Sequence, residues 1–502
     1  MAIKKYTASA DNTIVNAYES NLVTRATGSN TGRADIVETF SIYGRQSSSS
    51  AELSRILMNF PVSTLIADRA AGNLPAPGGV NFYLKLYAAP SSKTVPADFK
   101  LAVVPVSSSW EEGDGLDLEE YRDKVDGNIG SDWIYARKGT QWDVPGGDFL
   151  SSPVSAQTFA DGTEDLEVNI TSLVEDWVNG TIASNGVGVF LSSSYEASSS
   201  ANPDGATISY YTKRFFARGT QYFFKKPVIE ARWNSAIKDD RATFHYSSSL
   251  APAADNLNTI YLYNYIRGKL VNIPEVGTGN IYVRMYSGSA DNSAPSGSAL
   301  LLPAGGGVAS AGDAVITGSW LSTGIYSASF AATASSTPLT SLFDVWGNAA
   351  GSVEYSTGSI TPKTFGTTPS LAQPLYYMNI TNLRNRYNAT ENARMNLYAR
   401  EKNWQPTVYA KASAQVPALP IPSASYRVFR TIDAQEAVPY GTGSDLHTML
   451  SYDVSGNYFD LDMSLLEPGY EYGIRFSVYD DTISSWSEQE ETFRFRVEAY
   501  EY

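Results

Sequence analysis

Apolar residues come in short runs rich in Val, Ile, Tyr, Phe and Thr, broken at close intervals by Gly, Pro, Ser, Asn and Asp. Such spacing predicts many short strands, as in sandwiches and jelly rolls. Residues 82–87 alternate with only Lys85 charged, and residues 282–286 do the same around Arg284. In residues 492–498, Phe493, Phe495 and Val497 fall on one side and Arg494 and Arg496 on the other, a strand with one face in a core. A helical period shows at residues 171–180. There Thr171 can cap the first turn, Leu173, Val174 and Trp177 share a face, and Gly180 ends it. The expected class is therefore all-β with very little helix.

Two breaks divide this pattern. After residues 225–233, which read as a last strand, comes polar Lys238-Asp239-Asp240-Arg241, and aromatic alternation resumes near Tyr261. A second break is the Thr-, Pro- and Ser-rich stretch 361–370, before a strand at residues 375–380. The pattern predicts three sandwich or jelly-roll-like modules in series, residues 1–235, 236–365 and 366–502. Residues 287–310, dominated by Ser, Gly and Ala, read as a long exposed loop or a surface set against a neighbouring subunit. No fixed-period repeat supports a solenoid or propeller.

Composition narrows the function. Of 502 residues, 43% are hydrophobic and 18% charged, enough apolar surface for several cores. Asp and Glu outnumber Lys and Arg by 52 to 37, for a net charge of −15, with no basic block. That balance disfavours nucleic acid and anionic membrane as partners. No run of apolar residues is long enough to cross a bilayer as a helix. The absence of cysteine excludes disulfides, thiolate metal sites and cysteine nucleophiles. Residues 1–11 lack the apolar stretch of a secretory signal, which points to synthesis for the cytoplasm or release by lysis. The Asn-x-Ser/Thr matches at Asn169, Asn179, Asn379 and Asn388 read as chance.

Four segments of the first 235 residues carry a family likeness: Ala10-Asp11-Asn12-Thr13, residues 54–60 with Arg55 leading an alternating strand, residues 80–87, and Ser109-Trp110-Glu111-Glu112-Gly113 followed by residues 166–191. In these the chain resembles the DNRLRE-type β-sandwich family, found in cell-surface and carbohydrate-associated proteins. The resemblance implies a jelly-roll-like module with Trp110 and Trp177 closing its ends and Glu111 and Glu112 at an exposed turn. An insertion between Glu119 and Phe159 departs from the family pattern. Residues 247–259, Asn379-Ile380-Thr381-Asn382-Leu383, residues 400–404, 450–463 and 466–472, with the opening residues 1–6, resemble virion structural proteins of tailed bacteriophages, particularly contractile-tailed phages of marine bacteria. This likeness implies a particle component that contacts other virion proteins as a homo-oligomer, assembled in the bacterial cytoplasm, with no catalytic residues to carry over.

The chemistry candidates are few. His245 and His447 are the only histidines, and no Gly-x-Ser-x-Gly elbow, His-Glu-x-x-His pair or Gly-Lys-Ser/Thr phosphate loop is present. The densest acidic run, Glu111, Glu112, Asp114, Asp117, Glu119 and Glu120, lacks the spacing of a twelve-residue calcium loop and reads as solvated. Trp133, Tyr135 and Trp142 in the insertion are candidate ligand or interface aromatics, the packing of the insertion onto the sandwich being the competing reading. No enzyme activity, cofactor or metal is expected. Structural assembly is the leading function, and recognition of a host-surface glycan by the first module is the alternative.

Overall fold

The computed structural model describes residues 2–43, 51–91, 94–116, 130–199, 202–248, 253–302, 314–333, 339–363, 376–402, 418–480 and 483–499. The protein is all-β. Two α-helices, Val62–Ala70 and Thr171–Asn179, are the only ones among these residues. The named strands pair antiparallel, except Arg386–Asn388 with Phe493–Glu498. The chain forms two compact units, residues 1–234 with 443–447, and residues 235–442 with 448–502.

In the first unit a four-stranded sheet runs, in spatial order, Ile3–Thr7, Val228–Arg232, Asn81–Leu86, Leu166–Asn169. A seven-stranded sheet runs Tyr210–Phe216, Ile36–Tyr43, Ala51–Asn59, Val187–Leu191, Phe99–Pro105, Ser155–Phe159, with Ala10–Asn16 also paired to Ala51–Asn59. Alternation decides what lies between them. Phe82, Leu84 and Leu86 from one sheet meet Ile56, Met58, Phe99, Leu101, Val187 and Val189 from the other, all buried in one cluster with Leu65, Leu173 and Trp177 of the helices. The opposite face of the seven-stranded sheet is apolar too. Ile14, Leu53 and Leu57 project there, and residues 133–142 cover them.

Thr171–Asn179 forms where its period predicts, and Gly180 closes it in the left-handed conformation at φ 73°. The capping differs from expectation. Thr171 is the first helical residue, its hydroxyl accepts a hydrogen bond from the Phe82 backbone at 2.9 Å, and Asn169 Oδ1 accepts from the Thr171 N–H. Val62–Ala70 is a helix that the periodicity missed, since Val62, Thr64 and Ile66 suit a strand. Pro61 immediately before it and Gly72 at φ 75° after it are the start and stop signals that were there to read.

The second unit holds three larger sheets. One runs Asn258–Tyr263, Ile325–Phe330, Ile316–Ser322, Ile281–Gly288, Leu342–Gly347, Glu354–Ile360 around a core with Phe244, Tyr326, Phe330 and Trp346. A second runs Tyr376–Ile380, Asn392–Glu401, Gly456–Asp462, Ser451–Asp453, and a third Arg386–Asn388, Phe493–Glu498, Glu471–Asp480, Ala424–Arg430, Glu436–Val438. Tyr426 of the third stacks on Phe459 of the second at 4.2 Å between centroids, and Phe476 meets Phe459 edge-on. Residues 303–310 of the Ser/Gly/Ala-rich stretch and 364–370 of the second sequence break lie outside the described residues, as do Asn403 and Trp404.

Candidate functional site

Arg55 lies on Ala51–Asn59, next to Ile56 of the central core but on the opposite face of the sheet. Its guanidinium lies over Phe190 at 4.6 Å, Trp133 at 5.4 Å and Phe149 at 5.7 Å from the ring centroids. Nη2 donates to Glu196 Oε1 at 2.6 Å and Nη1 to the Gly146 carbonyl at 3.1 Å. Around this pair opens a depression of 480 Å³, lined among others by Ser107, Asp143, Asp148, Phe149, Phe190 and Asn202. Phe149 and Phe190 are half-buried, their rings 4.8 Å apart and tilted by 50°. Two of the three acids have internal tasks. Glu196 neutralises Arg55, while Asp148 accepts from the Ser108 hydroxyl at 2.9 Å and the Val144 N–H at 3.0 Å.

The insertion aromatics take up distinct positions. Trp133 and Trp142 are 5% and 4% exposed, so neither presents a ring face to solvent as a strip would. Trp142 Nε1 donates to the Asp132 carbonyl at 2.8 Å. Tyr135 is half-buried on the short strand Tyr135–Arg137, its N–H bound by Asp132 Oδ1 at 2.7 Å. Arg55, Phe149 and Phe190, not the tryptophans, line the depression. Composition offered no signal for them; the resemblance had marked Arg55 only as the start of a strand.

The acidic run is partly structural. Glu112 binds Arg218 through Nε at 3.1 Å and Nη2 at 2.6 Å, accepts the Asp11 N–H at 2.8 Å and is half-buried, where the resemblance implied an exposed turn. Burial, against the Arg218 N–H that it accepts, lifts Asp11 to about 6. Glu111 is exposed. Asp117, Glu119 and Glu120 lie outside the described residues. Trp110 is half-buried and donates to the Asn185 carbonyl at 2.8 Å, while Trp177 is in the central core. Among the described residues no group of three or more acids or histidines could hold a metal ion.

His245 forms an isolated bridge with Lys363 instead of joining a strand. His447 is 5% exposed and, among the described residues, has no hydrogen-bond partner at either ring nitrogen. It belongs to the segment 443–447 of the first unit, with Asp445, which accepts from Asn81 Nδ2 at 2.7 Å and Tyr83 OH at 3.1 Å. On the same sheet face Glu230 is fully buried; burial would raise its carboxyl, but Lys5, Lys85 and Arg232 outweigh that and hold it at about 2. Burial foremost, with Arg232 nearby, pushes His447 down to about 4.

No family model and no curated protein matches the sequence. Among solved structures, the chain is similar to a chimeric titin Z1Z2 carrying a decorin peptide, at 10% identity and a TM-score of 0.15 over 50% of this chain and 92% of that one. It is also similar to trypsin-activated alpha-2-macroglobulin from Escherichia coli, at 8% identity and a TM-score of 0.15, over 98% of this chain and 29% of that one. A DUF4785 family protein from Legionella pneumophila gives 6% identity and a TM-score of 0.12 over 92% of this chain and 90% of that one. TM-scores this low bear on neither topology nor function.

Proposed function

We propose that the protein is a structural component of a tailed-phage virion, in a collar, neck, decoration or baseplate position, acting through protein–protein contacts in a symmetric assembly. The observation that carries this reading is the contrast between interior and surface. Buried charges such as Glu230 and Arg232, or Arg241 and Asp344, are ion-paired within their own units. Large apolar side chains, by contrast, stand exposed, most of them singly, while Tyr265, Ile266, Trp320 and Leu321 lie on two hairpins joined through Asn272 and Gly324. Groups of that kind suit interface cores. The sequence likeness to virion proteins agrees with this, and the reading assigns the chain no chemical step. Its test is quantitative mass spectrometry of purified particles from the producing host. The expected result is this chain at a fixed copy number matching a ring of the particle; its absence from particles contradicts the reading.

A second reading, a receptor-binding protein that engages host-surface glycan through the first unit, is favoured by one feature. The depression at Arg55 joins two partly exposed rings, Phe149 and Phe190, to the exposed polar groups of Ser107, Asp143 and Ser193. A sugar ring can stack on the former and hydrogen-bond to the latter. Glycan-array binding by the full chain, lost in Phe190→Ala and retained in Trp320→Ser, supports it; an empty array removes it.

A further inference from the structure

Resting on the reading that the chain assembles with copies of itself, we infer that two copies join edge to edge through Glu354–Ile360, each strand pairing antiparallel with its counterpart across a two-fold axis. The sheet of the second unit that ends on this strand then continues from one copy into the next.

The two edges of that sheet differ. At Asn258–Tyr263 the outward backbone is already occupied. Asp240 Oδ2 accepts from the Thr259 N–H at 2.8 Å, the Asp240 N–H donates to the Thr259 carbonyl at 2.9 Å, and Arg241 Nη1 donates to the Tyr261 carbonyl at 2.5 Å. Edges of other sheets are closed in the same way. On Leu166–Asn169 the Glu167 N–H donates to Gln157 Oε1, and on Ser451–Asp453 the Tyr452 N–H donates to the Ile237 carbonyl.

Glu354–Ile360 is the open edge. The Asn348 N–H donates to the Val353 carbonyl at 3.1 Å, so by alternation Trp346 and Asp344 also turn their backbone groups to this strand, where they face Ser356 and Gly358. Thr357 and Ser359 therefore point their N–H and C=O groups away from the sheet. Both residues are exposed, and among the described residues nothing bonds to those groups. The strand also lacks the protection that edges commonly carry: it has no Lys, Arg or Pro, and its one charge is Glu354 at the start. Residues 356–359 are Ser, Thr, Gly and Ser, small enough for a second backbone to approach to a strand spacing of about 4.8 Å.

An unpaired backbone edge selects an extended strand as its partner, and two features favour a second copy. The edge is self-complementary. With Gly358 on the axis, Thr357 of each copy lies opposite Ser359 of the other, and residues so paired exchange both N–H···O bonds. Charge agrees with this register. Glu354 of each copy comes to the end of the other's strand, where Lys363 is exposed, while the two Glu354 side chains stay apart.

The experiment is sedimentation velocity of the full chain over a wide concentration range, with hydrogen–deuterium exchange on the same samples. Expected are reversible dimers and, as concentration rises, slower exchange at the Thr357 and Ser359 amides, with Ser356 and Gly358 protected throughout. Thr357→Pro removes an outward N–H where an edge strand tolerates proline, and Thr357→Lys/Ser359→Lys sets like charges opposite each other. Both should weaken the dimer at least about tenfold. Thr357→Val keeps the backbone bond and should stay within about twofold. Circular dichroism checks folding, and the lysine variant, which keeps every backbone group, serves where proline disturbs the strand. A chain monomeric at every concentration, a dimer whose Thr357 and Ser359 amides exchange freely, or a valine variant as weak as the proline one overturns the contact. So does protection of those amides by a different protein while the chain stays monomeric. A monomer that is nonetheless abundant in purified particles overturns this contact alone; a dimer absent from particles leaves it standing and removes the virion reading.

Discussion

Arg55 and Glu196 illustrate how single residues divide between stability and recognition. The pair is largely desolvated, with side chains 14% and 6% exposed, and the guanidinium is braced by three rings. Arg55→Leu leaves Glu196 buried without its counter-charge and should cost about 3–5 kcal/mol. Adding Glu196→Gln should recover most of that loss; urea denaturation of the single and double variants measures both. His447 supplies a pH signature. Its folded value of about 4 lies below the roughly 6.5 of a free imidazole, so the unfolded chain binds the proton more readily. The stability this gives is complete above about pH 6.5 and is lost as pH falls toward 4, up to about 3 kcal/mol. Denaturation midpoints of the protein and of His447→Leu should therefore diverge over that window and run parallel above it. Parallel curves throughout would show that burial does not depress this imidazole.

At the scale of elements, residues 133–142 of the insertion act as a lid of side chains on the outer face of the seven-stranded sheet. Trp142→Ala should cost about 3–5 kcal/mol, through loss of contacts in a cluster with Ile14, Leu57 and Trp133. Where the hairpins of Tyr265 and Trp320 join, Gly324→Val combines a β-branched residue at φ 73° with a close approach to the Val271 backbone. It should lower the melting temperature and separate the two hairpins, seen as faster amide exchange at Asn264 and Gly324. Much of this level was legible in the sequence. Asn81–Leu86 and Ile281–Gly288 alternate buried and half-buried along most of their length, because a strand with one face in a core needs that period. Val62–Ala70 was not legible from period alone, since β-branched residues fit either state and tertiary packing of Val62 and Leu65 decides. The candidate site was the least legible part. Arg55, Phe149 and Phe190 are brought together from three distant segments by sheet register, which leaves no local pattern. The aromatics that did stand out, Trp133 and Trp142, were conspicuous because they are large core residues of the insertion.

For the whole molecule, charge and apolar surface pull in opposite directions. A net charge of −15 keeps copies apart at low ionic strength, while exposed Trp320, Leu321, Tyr265 and Ile266 favour association. Assembly should therefore strengthen with added salt, which screens like charges, and weaken in Trp320→Ser/Leu321→Ser; light scattering across a salt series reads both. The virion reading is tested most directly by cryo-EM reconstruction of the intact particle. It predicts density that accommodates the two units of this chain, repeated around a symmetry axis and touching neighbouring particle proteins. A fully assigned particle map with no such density would contradict it.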